Sequence, residues 1–344
     1  MHKVLYVYKW ATMGGVERVL LNRALAFKAS NFDVAQDVFF LHDSGGKKML
    51  NRYIEENSLG RYLNIVEDFI PEKYDTIHPI DTPEIFEMVK NYEKILFECH
   101  TAYTENRQYL AELPMNIKGL IVPSKKFKSD ISQELPLGLR EKIYVFRNFV
   151  PESMFEVFEN TKGKLNKIPI TYIGRIDKLK NVEESVEIFS LLQKKMGDNF
   201  LLIVAGPLTS EVDLFKLVEK KGIMNRFIYL PPISFDKIPK LLKQVKENNG
   251  IVISSSKGES FGLSVAEAIV YGIPVIASHI HSHLVKDNQM FLYELNDIEG
   301  AVNKVEYIIN NRDKCMQDLI ALKNDLTDNA FLKDWKELYR VVHI

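Results

Sequence analysis

The chain has 344 residues, of which 46% are hydrophobic and 26% charged, and a formal net charge of −1. That length suits two domains, each burying its own core; the near-zero charge excludes a global field drawing the chain to nucleic acid or anionic lipid. Two cysteines, Cys99 and Cys315, argue for a reducing compartment and against a disulfide scaffold or a Cys-ligated zinc site, and with no apolar run of signal-peptide or membrane-span length the expectation is a cytoplasmic protein.

Residues 3–8 (KVLYVY) read as a short buried strand. They lead to Gly14-Gly15 and a helix pattern through Val16, Val19, Leu20, Ala24 and Leu25. Paired glycines let the backbone turn sharply and approach a ligand, and the helix start offers unpaired N–H groups to an anion. A plain tight turn is the alternative. Strand-like and helix-like runs then alternate: 32–41 strand, 47–56 helix, 62–66 short strand. Residues 70–83, punctuated by Pro71, Pro79 and Pro83, read as irregular, and 84–91 as helix. Residues 94–99 form a strand ending at His100, which faces the ligand crevice or is bonded into the structure. A strand at 119–123, a helix at 124–133 and a strand at 142–146 follow. This β/α alternation indicates a parallel sheet with helices on both faces.

Within 118–147, Lys118, Lys125, Lys126, Lys128, Arg140, Lys142 and Arg147 are interleaved with Phe127, Ile131, Leu135 and Leu137. The region reads either as a basic amphipathic surface for peripheral membrane contact or as a solvated helix face.

Residues 151–166 are largely polar and read as an inter-domain linker. A second alternation starts with a strand at 168–173, ending in Gly174-Arg175. The next helix has Asn181 as N-cap with Glu184 three residues on, and an apolar stripe of Val182, Val186, Phe189 and Leu192. Then come a strand at 200–205, a helix at 212–221, a strand at 227–230 and a helix at 235–245. Residues 250–278 are a strand–loop–helix–strand unit, with the helix stopped by Gly272. In a parallel sheet its loop lies at the C-terminal end of the first strand, where open α/β folds bind ligands. Glu259 and Glu267 sit there, eight positions apart. Arg175 and Lys180 flank another strand-to-helix loop; two cations there suit a pyrophosphate, or are ordinary surface charges.

His279, His281 and His283 alternate. On a strand they would share a face and could hold a metal, but the run follows a strand end, with no Asp or Cys cluster beside it, and a loop is the expectation. After Asp297 the chain reads as helices at 299–310, 312–326 and 329–342, the last with Phe331, Trp335, Leu338 and Tyr339 on one stripe.

Glu259-Ser-Phe-Gly-Leu-Ser-Val-Ala-Glu267 resembles the E-x7-E pattern of retaining, nucleotide-sugar-dependent glycosyltransferases of family four. Gly174-Arg175 with Lys180 is similar to that family's phosphate-binding pair, and Gly14-Gly15 with Glu17 to its first glycine loop. Residues 148–151 (NFVP) are similar to the segment before its linker. The matches come in family order and span nearly the whole chain. Two features depart from the pattern. Residues 279–291 lack the glycines common there, which bears on how that loop meets the sugar, and the first domain looks compact, which bears on the acceptor pocket.

The resemblance implies an α/β fold of two Rossmann-like doubly wound domains facing across a cleft (GT-B). It places an acceptor-side domain at 1–155, a nucleotide-sugar domain at 156–328, and a C-terminal helix at 329–344 packing back towards the first domain. It implies transfer of a sugar from a UDP- or GDP-sugar to a hydroxyl of a carbohydrate, lipid-linked or protein acceptor, with retained configuration, without a metal or other cofactor, in surface glycan or glycoconjugate synthesis. Arg175 and Lys180, beside Gly174, would neutralise the leaving diphosphate together with N–H groups around Gly262 and Leu263. Ser260 and Phe261 belong to the same donor loop. Glu267 would hold the ribose, Glu259 the transferred sugar, and the segment ending at Ile233 the nucleobase. His100 would contact the sugar near the reacting centre, and Gly14 and Gly15 would let the backbone approach the donor. The chain has no Asp-x-Asp motif, which suits cations and helix dipoles in place of a bound metal. A catalytically silent sugar-nucleotide-binding subunit and a sugar-nucleotide epimerase remain the alternatives.

Overall fold

The computed structural model describes residues 1–155, 163 and 165–342. Much of the linker expected at 151–166 therefore lies outside the described residues, at 156–162 and 164. The chain divides into two compact units, Met1–Ser153 with Asp328–Ile344, and Met154–Thr327.

The first unit runs β1 (His2–Ala11), α1 (Gly15–Ala29), β2 (Val34–Asp43), α2 (Gly46–Glu56), β3 (Asn64–Val66), β4 (Thr76–Ile80), α3 (Ile85–Met88), β5 (Leu96–Glu98), β6 (Gly119–Val122), α4 (Lys125–Ile131) and β7 (Ile143–Val145). Its seven strands are parallel, in the order β3-β2-β1-β4-β5-β6-β7. The run Val4–Val7 is fully buried because both faces of a doubly wound sheet are covered.

Two expectations for this unit are corrected. Residues 76–80, read as irregular from their prolines, form the buried strand β4 beside β1 at the centre of the sheet. Ile77 and Asp81 donate to Lys94 and Glu98 carbonyls on the β5 side. Pro79 falls between them in the same phase, so its missing N–H costs one ladder bond and the strand survives. The helix expected at 84–91 is a single turn, α3, because the chain returns to extended backbone at Val89.

The second unit runs β8 (Ile168–Ile173), α5 (Val182–Met196), β9 (Phe200–Ala205), α6 (Leu214–Lys220), β10 (Phe227–Leu230), α7 (Ile238–Glu247), β11 (Ile251–Ser254), α8 (Leu263–Tyr271), β12 (Val275–Ser278), β13 (Leu292–Tyr293), α9 (Ile298–Asn310) and α10 (Arg312–Lys323). Its six strands are parallel, in the order β10-β9-β8-β11-β12-β13. The stripe of α5 is buried as its spacing predicts, with Val182, Val186, Phe189 and Leu192 at 0% exposure. Asn181 does not cap α5 in the expected way. It sits in the left-handed region (φ 53°), and its amide donates to Glu184 Oε2 at 2.8 Å instead of accepting from the backbone. His279–His281 is a 3-10 turn, not a strand, and His281 is buried.

Helix α11 (Asp328–Val341) returns to the first unit. Phe331 and Trp335 pack on Phe27 at ring distances of 5.3 and 4.7 Å, and Phe331 stacks on Phe149 at 4.2 Å. Arg147 pairs with Asp334 at 2.5 Å.

In each sheet the strand order reverses once, between β1 and β4 and between β8 and β11. Loops beyond the carboxyl ends of those strands bound the crevice in which such sheets take their ligands. The loops after β1 and β4 carry Gly14, Gly15 and Asp81, with His100 just beyond β5 on the next strand over; those after β8 and β11 carry Arg175, Lys180 and Glu259.

Candidate functional site

In the second unit the β8 and β11 loops converge on one carboxylate. Glu259 Oε1 accepts from Lys180 Nζ at 2.6 Å and from Ser256 Oγ at 2.9 Å, and His281 Nε2 lies 4.0 Å away. Burial pushes the Glu259 carboxyl up, but Lys180, His281 and the hydrogen bonds from Lys180 and Ser256 outweigh it and hold its pKa below the usual value. His281 is 0% exposed, and its Nε2 is 3.3 Å from Ser254 Oγ. Burial, with His283 and Lys180 acting in the same direction, lowers its pKa to about 4 against the pull of Glu259. At neutral pH His281 is therefore an uncharged wall of the site.

Asp177 organises the β8 loop. It is 1% exposed, accepts the Lys180 N–H at 2.8 Å, and pairs with Arg175 Nε at 3.1 Å. The Arg175 side chain stays half exposed, so its guanidinium is oriented but accessible. Gly174 and Gly206 explain how close these loops come. A Cβ on Gly206 would lie 1.9 Å from the Gly174 carbonyl oxygen, and its φ of 148° excludes most side chains.

Gly262 is also required by its backbone. It precedes α8 at φ 96°, and an added Cβ would meet the His281 ring at 3.0 Å. The first turn of α8, from Leu263, leaves N–H groups without helical partners. Phe261 is buried and Ser260 half-buried in the same loop. Glu267, in the second turn, is 1% exposed. Ile233, beyond β10, is half-buried. The loop residues 260–263 and Glu267 thus line one helix start, with Lys180 and Glu259 paired beside it.

The first unit holds a second polar cluster. Glu98 is 0% exposed and accepts from Arg23 Nη1 and Nη2 at 2.9 and 2.8 Å, His78 Nδ1 at 2.7 Å and His100 Nε2 at 2.8 Å. The backbone N–H of His100 donates to Asp81 at 3.0 Å, and Tyr109 donates to the same carboxylate at 2.7 Å. Burial raises the Asp81 pKa, partly opposed by His100 and these hydrogen bonds. His100 is thus both bonded into the structure and at the crevice end of its strand.

The glycine loop differs from expectation. Its sharp residue is Met13, at φ 62°, while Gly14 has φ −91°. The N–H groups of Thr12, Met13 and Gly14 are not open to an anion. They donate to the buried Glu17 carboxylate at 2.6, 3.0 and 2.8 Å, which occupies the place an anion would take. Gly15 is open, since an added Cβ would meet nothing within 4 Å.

The 118–147 region also departs from an amphipathic membrane face. Phe127, Ile131 and Leu135 point into the core of the first unit, while Leu137 is exposed. Lys128 and Lys142 donate to backbone carbonyls, Lys126 pairs with Asp130, and Arg147 with Asp334. No helix among the described residues is long and apolar enough to cross a membrane, and none of those residues forms a cluster of three metal-ligating side chains.

Sequence reasoning missed Asp177 and Ser256 in the second unit and Glu98, Arg23 and His78 in the first, and weighed His281 only as a metal ligand. The available signals were a carboxylate ending the apolar strand LFE and an arginine inside the apolar face of α1.

Residues 154–323 match the family described as glycosyl transferases group 1. A poly(ribitol-phosphate) alpha-N-acetylglucosaminyltransferase of Staphylococcus aureus is 25% identical over 282 residues, 76% of this chain and 54% of that protein. The chain spans about half or less of the length of that relative and of others matched over shorter stretches. Among solved structures, HepE of Anabaena in complex with UDP and glucose superposes with a TM-score of 0.78 at 16% identity, covering 99% of this chain and 100% of that one. A variant of TarM of S. aureus, in complex with fondaparinux, alpha-GlcNAc-glycerol and UDP, gives 0.75 at 14% identity, covering 98% and 100%. The chain thus has the two-unit GT-B fold of glycosyltransferases, with a group 1 segment in its second unit.

Proposed function

We propose that the protein is a retaining glycosyltransferase of the family-four type, moving a sugar from a nucleoside-diphosphate sugar to an acceptor hydroxyl in glycan or glycoconjugate synthesis. The observation that carries this reading is the Lys180–Glu259 pair at 2.6 Å, at the switch point between β8 and β11 and beside the start of α8. A cation and a helix N-terminus suit the diphosphate leaving group of such a donor, and a carboxylate beside them suits its sugar hydroxyls. That HepE and the TarM variant were solved with UDP supports a uridine nucleotide as the donor class.

In this reading the diphosphate gains charge as the glycosidic bond breaks. Arg175, Lys180 and the N–H groups at Leu263 take up that charge, each preorganised donor being worth about 3 kcal/mol in comparable sites. The protein cations make a resident metal unnecessary. Glu259 accepts hydrogen bonds from hydroxyls of the transferred sugar, and Glu267 from both ribose hydroxyls. The nucleobase rests near Ile233. The leaving phosphate acts as base for the acceptor hydroxyl, which arrives on the same face. In the first unit, His100 is read as the sugar contact and Gly15 as the open backbone position. The reaction is placed in the cytoplasm, where nucleotide sugars are made.

A thermal-shift screen of nucleotide sugars tests the reading. One UDP- or GDP-sugar raises the melting temperature and is slowly hydrolysed; no shift with any of them sinks it. Glu259→Ala abolishes transfer while nucleoside diphosphate binding survives. An equal loss of both assigns Glu259 a different role.

A further inference from the structure

The Glu98 carboxylate accepts four hydrogen bonds, two from Arg23 and one each from His78 and His100. Burial pushes its pKa up, but Arg23 and the hydrogen bonds from His100, His78 and Arg23 take it well below the usual range. It is ionised and has no hydrogen to give. Every group facing it must therefore donate, including the His100 ring through Nε2.

The far side of the cluster obeys the same logic. His78 is fully buried, and burial lowers its pKa against the pull of Glu98, so it is neutral. With Nδ1–H given to Glu98, its Nε2 can only accept, and Tyr339 on α11 donates to it at 3.2 Å. Tyr6 accepts from Arg23 Nη1 at 3.0 Å. The one positive charge on Arg23 balances the one negative charge on Glu98. The other facing carboxylate, Asp81, bonds the His100 backbone and leaves Glu98 as the acceptor for the ring.

A neutral ring with its proton on Nε2 carries its lone pair on Nδ1. We infer that Glu98, held by Arg23 and His78, is a positioning residue that fixes the Nε2–H tautomer of His100 and so presents Nδ1 as a hydrogen-bond acceptor for a sugar hydroxyl. The sugar as ligand rests on the transferase reading above; the tautomer does not. The alternative is that Glu98 only balances a buried arginine, in which case the state of His100 is irrelevant to activity.

The experiment uses the full chain labelled with nitrogen-15 histidine. Long-range proton–nitrogen correlation spectra, with His100 assigned by its loss in His100→Gln, show Nε2 protonated and Nδ1 bare near neutral pH. Glu98→Gln mixes the tautomers and lowers kcat on the order of tenfold, with donor KM nearly unchanged. In a His100→Ala background the same substitution changes kcat no further. An Nδ1–H or doubly protonated His100, or an equal loss of kcat with and without His100, overturns the assignment. If Glu98→Gln fails to fold, the wild-type spectrum still decides the tautomer. If no nucleotide sugar is turned over, the transferase reading fails on its own, and the spectrum still reports on Glu98.

Discussion

Lys180 and Glu259 come from loops 79 positions apart in the chain, yet Lys180 Nζ and Glu259 Oε1 are 2.6 Å apart. The resemblance assigns Lys180 to the diphosphate and Glu259 to the sugar. Bonded to each other, they are one unit. The ammonium has three hydrogens, so it can bridge the carboxylate and a phosphate oxygen at once.

Replacing Lys180 should therefore disturb more than phosphate binding. Lys180→Met leaves Glu259 partly buried without its nearest cation and costs about 3 kcal/mol of stability in the second unit. The double variant Lys180→Met with Glu259→Gln recovers part of that loss, because the uncompensated charge is gone. A urea-denaturation cycle measures it. Effects that add to within about 0.5 kcal/mol show that the pair is not coupled.

His281 gives the second unit a defined pH response. Its folded pKa of about 4 lies below the ordinary 6.5, so the unfolded chain binds the proton first as pH falls. Its contribution is complete above pH 6.5 and is lost progressively as pH drops towards 4, by up to about 3 kcal/mol. Glu259, lowered from 4.5, loses its contribution in the same direction but only below that value. Between these limits His281→Gln should flatten the decline in melting temperature. An unchanged slope shows that His281 is not the group responsible.

Most strands and long helices were legible because their cause is local: apolar runs of four to six residues, and the 3.6-residue stripe of Val182, Val186, Phe189 and Leu192. Strand β4 was not, because Pro79 is a local strand breaker that only the surrounding sheet makes tolerable. Among the candidate residues, Lys180, Glu259 and Gly262 carried their signal in spacing. Glu98 and His281 did not, since each acts through partners distant in sequence, and Asp177, though its partners Arg175 and Lys180 are local, sits in a loop with no periodicity to mark it. The Glu98–Arg23 bond spans 75 positions, and no periodicity encodes such a contact. The Glu17 carboxylate in the glycine loop shows the converse, a visible pattern whose anion is the chain's own.

Gly262 is predicted to tolerate no side chain. Alanine there must hold φ 96° and push the His281 ring, which a Cβ would meet at 3.0 Å. The left-handed backbone alone costs about 1 kcal/mol, and the shifted ring disturbs the Glu259 wall. Gly262→Ala should lower the melting temperature by several degrees and weaken nucleoside diphosphate binding on the order of tenfold. Isothermal titration checks the second effect; unaltered affinity removes this helix start from the site.

Helix α11 is predicted to be part of the first unit's core rather than an appendage. Trp335 is 3% exposed and touches Phe27, Phe146 and Tyr339 at ring distances of 4.7, 5.4 and 4.4 Å. Removing such a ring from a packed aromatic cluster costs about 3–5 kcal/mol. Trp335→Ala should therefore lower the denaturation midpoint of the first unit and leave that of the second where it was. The same helix carries Tyr339, the donor to His78, so loosening it should also release the Glu98 cluster. The readout is amide hydrogen exchange in β4 and β5: faster exchange there, with no change in β8 and β11, is the expected pattern. Equal protection in β4 and β5 before and after the substitution shows that α11 does not hold this network together.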